Sequence, residues 1–147
     1  MVGVEIDMVV TDSIKALALY ESIFDVVPVE VTNYAQGMNE AVFTMYGTRF
    51  HLLDENPEYQ LTAPKEGDAK PMWVNVLVAD IKDTFGRAID AGCSEVQPVT
   101  ELADFGVSNA IFSDPFGYVW LLHQIHREVS FEERSRIFEE QMKAGKE

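Results

Sequence analysis

Polar and apolar residues alternate from Glu5 to Val10, with Ile6, Met8 and Val10 on one side of the chain and Glu5 and Asp7 on the other. A period of two is that of a β-strand with one buried face, because successive side chains on a strand point to opposite sides. Asp12 or Ser13 then suits the N-cap of a helix that carries Ile14, Leu17, Ala18 and Phe24 at helical spacing. Three further strands are expected at Val27–Val31, Ala41–Met45 and Arg49–Leu53, with Gly37 and Gly47 marking turns between them. The order of elements is βαβββ. It then repeats: a strand over Met72–Val78, a helix over Ile81–Ala91 closed by Gly92, and strands near Glu95–Val99, Asn109–Ser113 and Tyr118–Gln124. Between the two halves, residues 55–71 contain Pro57, Pro64, Pro71 and Gly67 and read as a connection. Ser130-Phe131-Glu132-Glu133 is a capping box that opens a C-terminal helix of about twelve residues, a usual length. Its Phe131, Ile137, Phe138 and Met142 can cover the domain or a second subunit.

The two halves are copies. Tyr46–Asp54 (YGTRFHLLD) recurs as Phe116–Gln124 (FGYVWLLHQ), an offset of 116 − 46 = 70, and Val10-Thr11-Asp12 recurs as Val78-Ala79-Asp80, an offset of 78 − 10 = 68. One structural unit used twice accounts for both. The expected architecture is α+β: a single domain with module one at residues 4–54, the connection at 55–71, module two at 72–126 and the extra helix at 130–143.

Charge narrows the function. With 11 Lys/Arg against 25 Asp/Glu the net charge is −14, which disfavours nucleic acid because its phosphates would be repelled. The imbalance is uneven: residues 1–126 hold 6 basic and 19 acidic side chains, and residues 127–147 hold 5 and 6. Solubility explains such acidity, and so does a site that attracts cations. Cys93 is alone, which leaves no intrachain disulfide and no cysteine metal cluster. No apolar run approaches a membrane span, and Glu5 and Asp7 do not suit a signal peptide, so a cytoplasmic location is expected.

Strand alternation also sorts the candidate chemistry. The uniformly apolar faces are assigned to the helices, with Trp120 in the core. Glu5, Asp7, Arg49, His51, Trp73, Asn75, Leu121 and His123 then share the opposite face, a mixed patch suited to a ligand. His51 reads either as a cavity histidine bonded to Glu5 or Asp7, or as a base poised near neutral pH. Glu5 needs a partner on a sheet face, and Arg49 is the obvious one. Trp73 offers a stacking platform for planar or cationic ligands, or simply fills space. His126 is expected at the surface and Cys93 is read as an inert thiol.

The turn Asp114-Pro115-Phe116-Gly117 running into Tyr-Val-Trp-Leu-Leu, with the Val-x-Asp strand ends ahead of both helices, resembles the vicinal oxygen chelate superfamily over residues 4–126. That group includes glyoxalase I, extradiol dioxygenases, fosfomycin resistance proteins and bleomycin-binding proteins. The stretch REVSFEERSR (Arg127–Arg136) is similar to the tail of its PhnB-like branch. The resemblance implies two βαβββ modules forming a curved mixed sheet around a cleft, usually in a homodimer. Its enzymes hold one divalent metal with four side chains, one from the first and one from the last strand of each module, usually His or Gln, Glu, His and Glu. The matching positions here are Glu5, His51, Trp73 and Leu121, and the last two offer no metal-binding atom. The expected function is therefore binding of a small molecule, cationic or aromatic, in an acidic cleft without a metal. The alternative is a lyase, isomerase or dioxygenase whose divalent metal is held by Glu5 and His51 with Asp7 or His123. In either enzymatic version, with or without a metal, Glu5 and His51 are the candidate catalytic groups. His123 should lie about 6 to 7 Å further along its strand than Leu121.

Overall fold

The structure is a computed structural model that describes residues 1–146. Module one consists of β1 (Glu5–Val10), α1 (Ser13–Ile23), β2 (Val26–Val31), β3 (Glu40–Met45) and β4 (Thr48–Asp54). Module two follows as β5 (Val74–Leu77), α2 (Ile81–Asp90), β6 (Ser94–Leu102), β7 (Val107–Ser113) and β8 (Val119–Ile125), and α3 (Phe131–Lys146) closes the chain. Each module is one four-stranded sheet, ordered β1-β4-β3-β2 and β5-β8-β7-β6. The first strand runs parallel to the last in both sheets, and the other pairings are antiparallel. The α+β class and the doubled βαβββ order are therefore as expected. Among the described residues no helix is long and apolar enough to cross a membrane.

One apolar core serves both modules. Tyr20 of α1 and Phe24, its C-cap residue, reach across to Trp120 of β8, with ring centroids 5.1 and 5.2 Å away, and Phe24 stacks on Phe112 of β7 at 6.3 Å. Phe43 and Phe50 stack at 5.2 Å on the module-one side. Tyr20, Phe43, Phe50, Phe112 and Trp120 are all fully buried. The buried stripe of α1 is Ala16, Leu17, Tyr20 and Ile23, whereas Ile14 and Ala18, which the sequence pattern placed on it, face solvent. The buried positions 13, 16, 17, 20 and 23 follow the 3.6-residue period with Tyr20 at their centre, and its hydroxyl has a partner inside.

That partner is Asp114. Its Oδ2 accepts from the Tyr20 hydroxyl at 2.6 Å and from Trp120 Nε1 at 2.8 Å, while Oδ1 accepts from the backbone of Phe116 and Tyr118 at 2.8 and 3.1 Å. Burial, reinforced by the Asp114 charge, pushes the Tyr20 phenol well above its ordinary pKa, so it stays a donor. A second cross-module bond runs from the Tyr118 hydroxyl to the Val9 carbonyl at 2.8 Å.

The repeat is also visible in how the helices begin. Asp12 and Asp80 are the N-caps of α1 and α2, accepting from Lys15 N and Asp83 N. The last strand of each module then supplies a further acceptor: Asp54 Oδ1 takes Ser13 N at 2.7 Å, and Gln124 Oε1 takes Ile81 N at 2.9 Å. Asp54 Oδ2 also accepts from Gly37 N and Asn39 N at 2.8 and 2.9 Å. Burial alone would raise the Asp54 carboxyl, but these backbone donors outweigh it and hold its pKa below the ordinary value.

Several elements differ from their sequence pattern, β5, β6 and α3 among them. β5 starts at Val74 instead of Met72, because the connection ending at Pro71 keeps Met72 and Trp73 off the ladder. β6 runs from Ser94 to Leu102, longer than expected, with irregular register on either side of Gln97 that accommodates Pro98 on an edge strand. α3 has 16 residues instead of about twelve, with Ser130 Oγ accepting from Glu133 N as its capping box requires.

Two outcomes are expected. Tyr20→Phe leaves a buried carboxylate oxygen short of one donor and should cost about 1–3 kcal/mol in urea unfolding, with an unchanged m-value. Because the folded-state pKa of Asp54 is lowered, its contribution is present above the ordinary carboxylate range, near pH 3.9, and is lost as pH falls through the folded-state value. Asp54→Asn should therefore lower stability at pH 7 and flatten the acid-side decline, as measured by thermal melts between pH 7 and 3.

Candidate functional site

The parallel pairing of β1 with β4 sets Glu5 opposite Arg49 and Asp7 opposite His51. All four side chains therefore leave the sheet on the same side, away from the helices. Arg49 Nε donates to Glu5 Oε2. His51 Nδ1 lies 3.1 Å from Glu5 Oε1 and 3.4 Å from Asp7 Oδ1, and its Nε2 lies 3.7 Å from Glu40 Oε2. The hydrogen bond from Arg49 lowers the pKa of Glu5, with burial opposing and the charges of Arg49 and His51 assisting. His51 Nε2 is buried and has no hydrogen-bond partner among the described residues, since 3.7 Å is too long to count as one. The cluster holds three carboxylates against one permanent cation.

Glu40 was not among the sequence candidates. It opens β3, pairs with Leu53, and shares a face with Val42 and Thr44 that the antiparallel register aligns with Arg49 and His51. Alternation along β3 carried that signal.

The edges of β1 and β5 border a cavity of about 630 Å³. Asp7, Trp73, Asn75, Tyr46 and Tyr118 contribute to its lining, with Met8 and Met45 among the apolar residues. Trp73 is half exposed there. Tyr46 sits in a tight β3–β4 turn with φ +48°, followed by Gly47 at φ +84°. Positive φ is costly for a bulky residue, and residues strained in this way cluster at functional sites.

The eight candidates separate into groups. Glu5, Asp7, Arg49 and His51 meet in one cluster, and Trp73 and Asn75 join Asp7 at the seam. Leu121 lies opposite Asn75 in the β5–β8 ladder and is half buried. His123 stands apart: its Nδ1 is 2.7 Å from Asn109 Oδ1, and it lines a different cavity. Among the described residues, no group of closely spaced metal-ligating side chains includes His123; alternation gives its face of the sheet but not its distance from β1. Glu5, Asp7 and His51 do place one ligand atom each within 4.8 Å of one another. His126 is at the surface, bonded to Ser108 Oγ at 2.8 Å. Cys93 is buried, which pushes its thiol pKa to about 12 and keeps it protonated and unreactive.

The chain belongs to the Glyoxalase/Bleomycin resistance protein/Dioxygenase superfamily, whose family model matches residues 4–122. It is 30% identical over 132 residues to the uncharacterized protein Mb0911c of Mycobacterium bovis, covering 86% of this chain and 85% of that one. Its fold is similar to that of the fosfomycin resistance protein FosX from Listeria monocytogenes, solved with Mn(II) and sulfate, at TM-score 0.66 and 15% identity, covering 94% of this chain and 98% of that one. A PhnB protein from Bacillus cereus matches at TM-score 0.63 and 16% identity, over 84% and 99% of the two chains.

If Arg49 holds Glu5 ionised, then Arg49→Met should move the Glu5 pKa up toward its ordinary value. Carboxyl-carbon NMR titration reads this directly, and an unmoved Glu5 would remove Arg49 from that role.

Proposed function

We propose that this protein binds a small cationic or aromatic molecule at the seam between β1 and β5. The observation that carries this reading is the seam itself: a largely apolar cavity with the Trp73, Tyr46 and Tyr118 rings on its lining and the Asp7 carboxylate beside them. Aromatic faces attract cations through their quadrupoles, worth roughly 0.5–2 kcal/mol per contact, and a neighbouring carboxylate adds to that attraction. Glu5, Asp7 and Glu40 around His51 give this side of module one an excess of negative charge. A homodimer belongs to this reading, supported by the exposed Phe131, Phe138 and Met142 of α3.

One observation favours a second reading. Two oxygens and a nitrogen, from Glu5, Asp7 and His51, lie close enough to share an ion, and this donor set suits Mn, Fe or Zn. Three protein ligands are the usual number in a catalytic metal site. The fit is incomplete, because Arg49 already occupies one Glu5 oxygen and two of the four superfamily positions are Trp73 and Leu121. Bound there, a divalent ion would polarise a substrate oxygen, and His51 or Glu5 would move the proton.

The test pairs metal analysis with ligand binding. In protein purified without chelator, the expected metal content is well below one ion per chain. Benzyltrimethylammonium should raise the melting temperature, and Trp73→Leu and Asp7→Asn should each weaken its binding roughly 3- to 30-fold, the range set by a cation–π contact. One tightly held divalent ion per chain, lost in His51→Ala, would replace the first reading with the second.

A further inference from the structure

A second cavity of about 640 Å³, which none of the acidic-cluster residues lines, opens between the outer face of β7 and β8 and the start of α3. No residue lines both this cavity and the seam. Its polar lining is of the opposite sign. Arg127 and Arg134 contribute two guanidinium groups, His123 and Asn109 a hydrogen-bonded pair, and Glu128 the one carboxylate. In a chain with a net charge of −14, an arginine ordinarily finds a carboxylate partner, as Arg49, Arg87 and Arg136 do. Neither Arg127 nor Arg134 has one among the described residues.

Arg127 is also held in place. Its terminal nitrogen donates to the carbonyls of Ala103 and Asp104, each at 3.1 Å, and its backbone nitrogen donates to Gly106 O at 3.2 Å. Gly106 leaves the space this requires: at φ +68° it carries no side chain, and a Cβ there would lie 2.5 Å from Arg127 Cγ and 2.7 Å from Arg127 O. Arg134 stands over the Phe131 ring, 5.5 Å from its centroid. Because the Asn109 carbonyl oxygen can only accept, the His123 proton sits on Nδ1 and Nε2 is left for another partner. Leu102, Val107 and Ile125 supply an apolar wall.

We propose that this cavity binds a small organic oxyanion, with its carboxylate or phosphoryl group between Arg127 and Arg134 and its apolar body against Leu102, Val107 and Ile125. Guanidinium groups suit this role because their planar donors match the oxygens of carboxylates and phosphates and stay charged at every accessible pH. The size is that of a small-molecule pocket, and two cationic side chains on the lining of one partly apolar cavity can supply both orientation and affinity. In a chain of net charge −14, a cavity lined by two arginines and one carboxylate is a local exception that favours an anion.

Isothermal titration of the full chain at low ionic strength, with inorganic phosphate and with benzoate as probes, tests this. Saturable binding of at least one probe is expected, weakened fivefold or more by Arg134→Gln and strengthened by Glu128→Gln. Arg134 is exposed, so its substitution should leave the melting temperature close to that of the parent protein. Binding of phosphate alone assigns a phosphoryl ligand, and binding of benzoate assigns a carboxylate on an apolar body. If neither probe saturates, or if Arg134→Gln weakens binding by less than fivefold, the proposal is wrong.

Discussion

Asp114 is the constraint on which the arrangement of the two modules rests. It lies in the turn between β7 and β8, 94 residues from Tyr20, yet the Tyr20 hydroxyl, the Trp120 indole and two backbone amides all donate to it. A carboxylate this deeply buried is tolerable only when its lone pairs are used, and here four donors meet that need. The same bonds orient Tyr20 and Trp120, whose rings lie at the centre of the core between α1 and the second sheet. The consequence reaches the surface. Holding α1 against β8, together with the bond from Tyr118 to Val9, brings β1 alongside β5 and so opens the seam bordered by Asp7 and Trp73.

Duplication sets the local architecture, and divergence between the copies sets its chemistry. Asp54 and Gln124 occupy matching positions and both accept from the first turn of their module's helix. Asp54 is ionised and gathers three backbone donors, fastening the 32–39 loop as well as α1. Gln124 has a neutral oxygen and takes one. The repeated frame tolerates this because each helix keeps its own Asp N-cap. Once strand pairing and helix capping are secured, the outward faces are free to differ. His51 therefore has Leu121 as its counterpart, and Leu53 has His123.

How much of this was legible in the sequence follows from what each signal encodes. Periods of two and of 3.6 report which face of an element is buried, so the eight strands, three helices and doubled order could be read from residue spacing. The same periods do not report position across a sheet. Glu5, Asp7, Arg49 and His51 meet because β1 and β4 are neighbours, whereas His123, on the corresponding face of β8, lines another cavity. Tyr20 was passed over because hydropathy scores its hydroxyl as polar, and only the fold shows Asp114 waiting for it. Trp73 was read as part of a strand because its apolar neighbours continue past Pro71. The ladder starts at Val74, which leaves Trp73 outside it and half exposed at the seam.

The 19 acidic side chains of residues 1–126 outnumber the basic ones about threefold, while residues 127–147 hold 5 basic against 6 acidic. The structure gives that sequence asymmetry a location. On module one, three carboxylates and Arg49 surround His51; on module two, Arg127 and Arg134 of the C-terminal segment line a cavity with His123. Two copies of one unit thus present outward faces of opposite sign. Keeping the two sets on separate sheets prevents them from neutralising one another, and Arg127 and Arg134 accordingly have no carboxylate partner among the described residues. C-terminal residues outside the repeat account for the difference: without them, the second face would carry His123 and Asn109 but neither guanidinium.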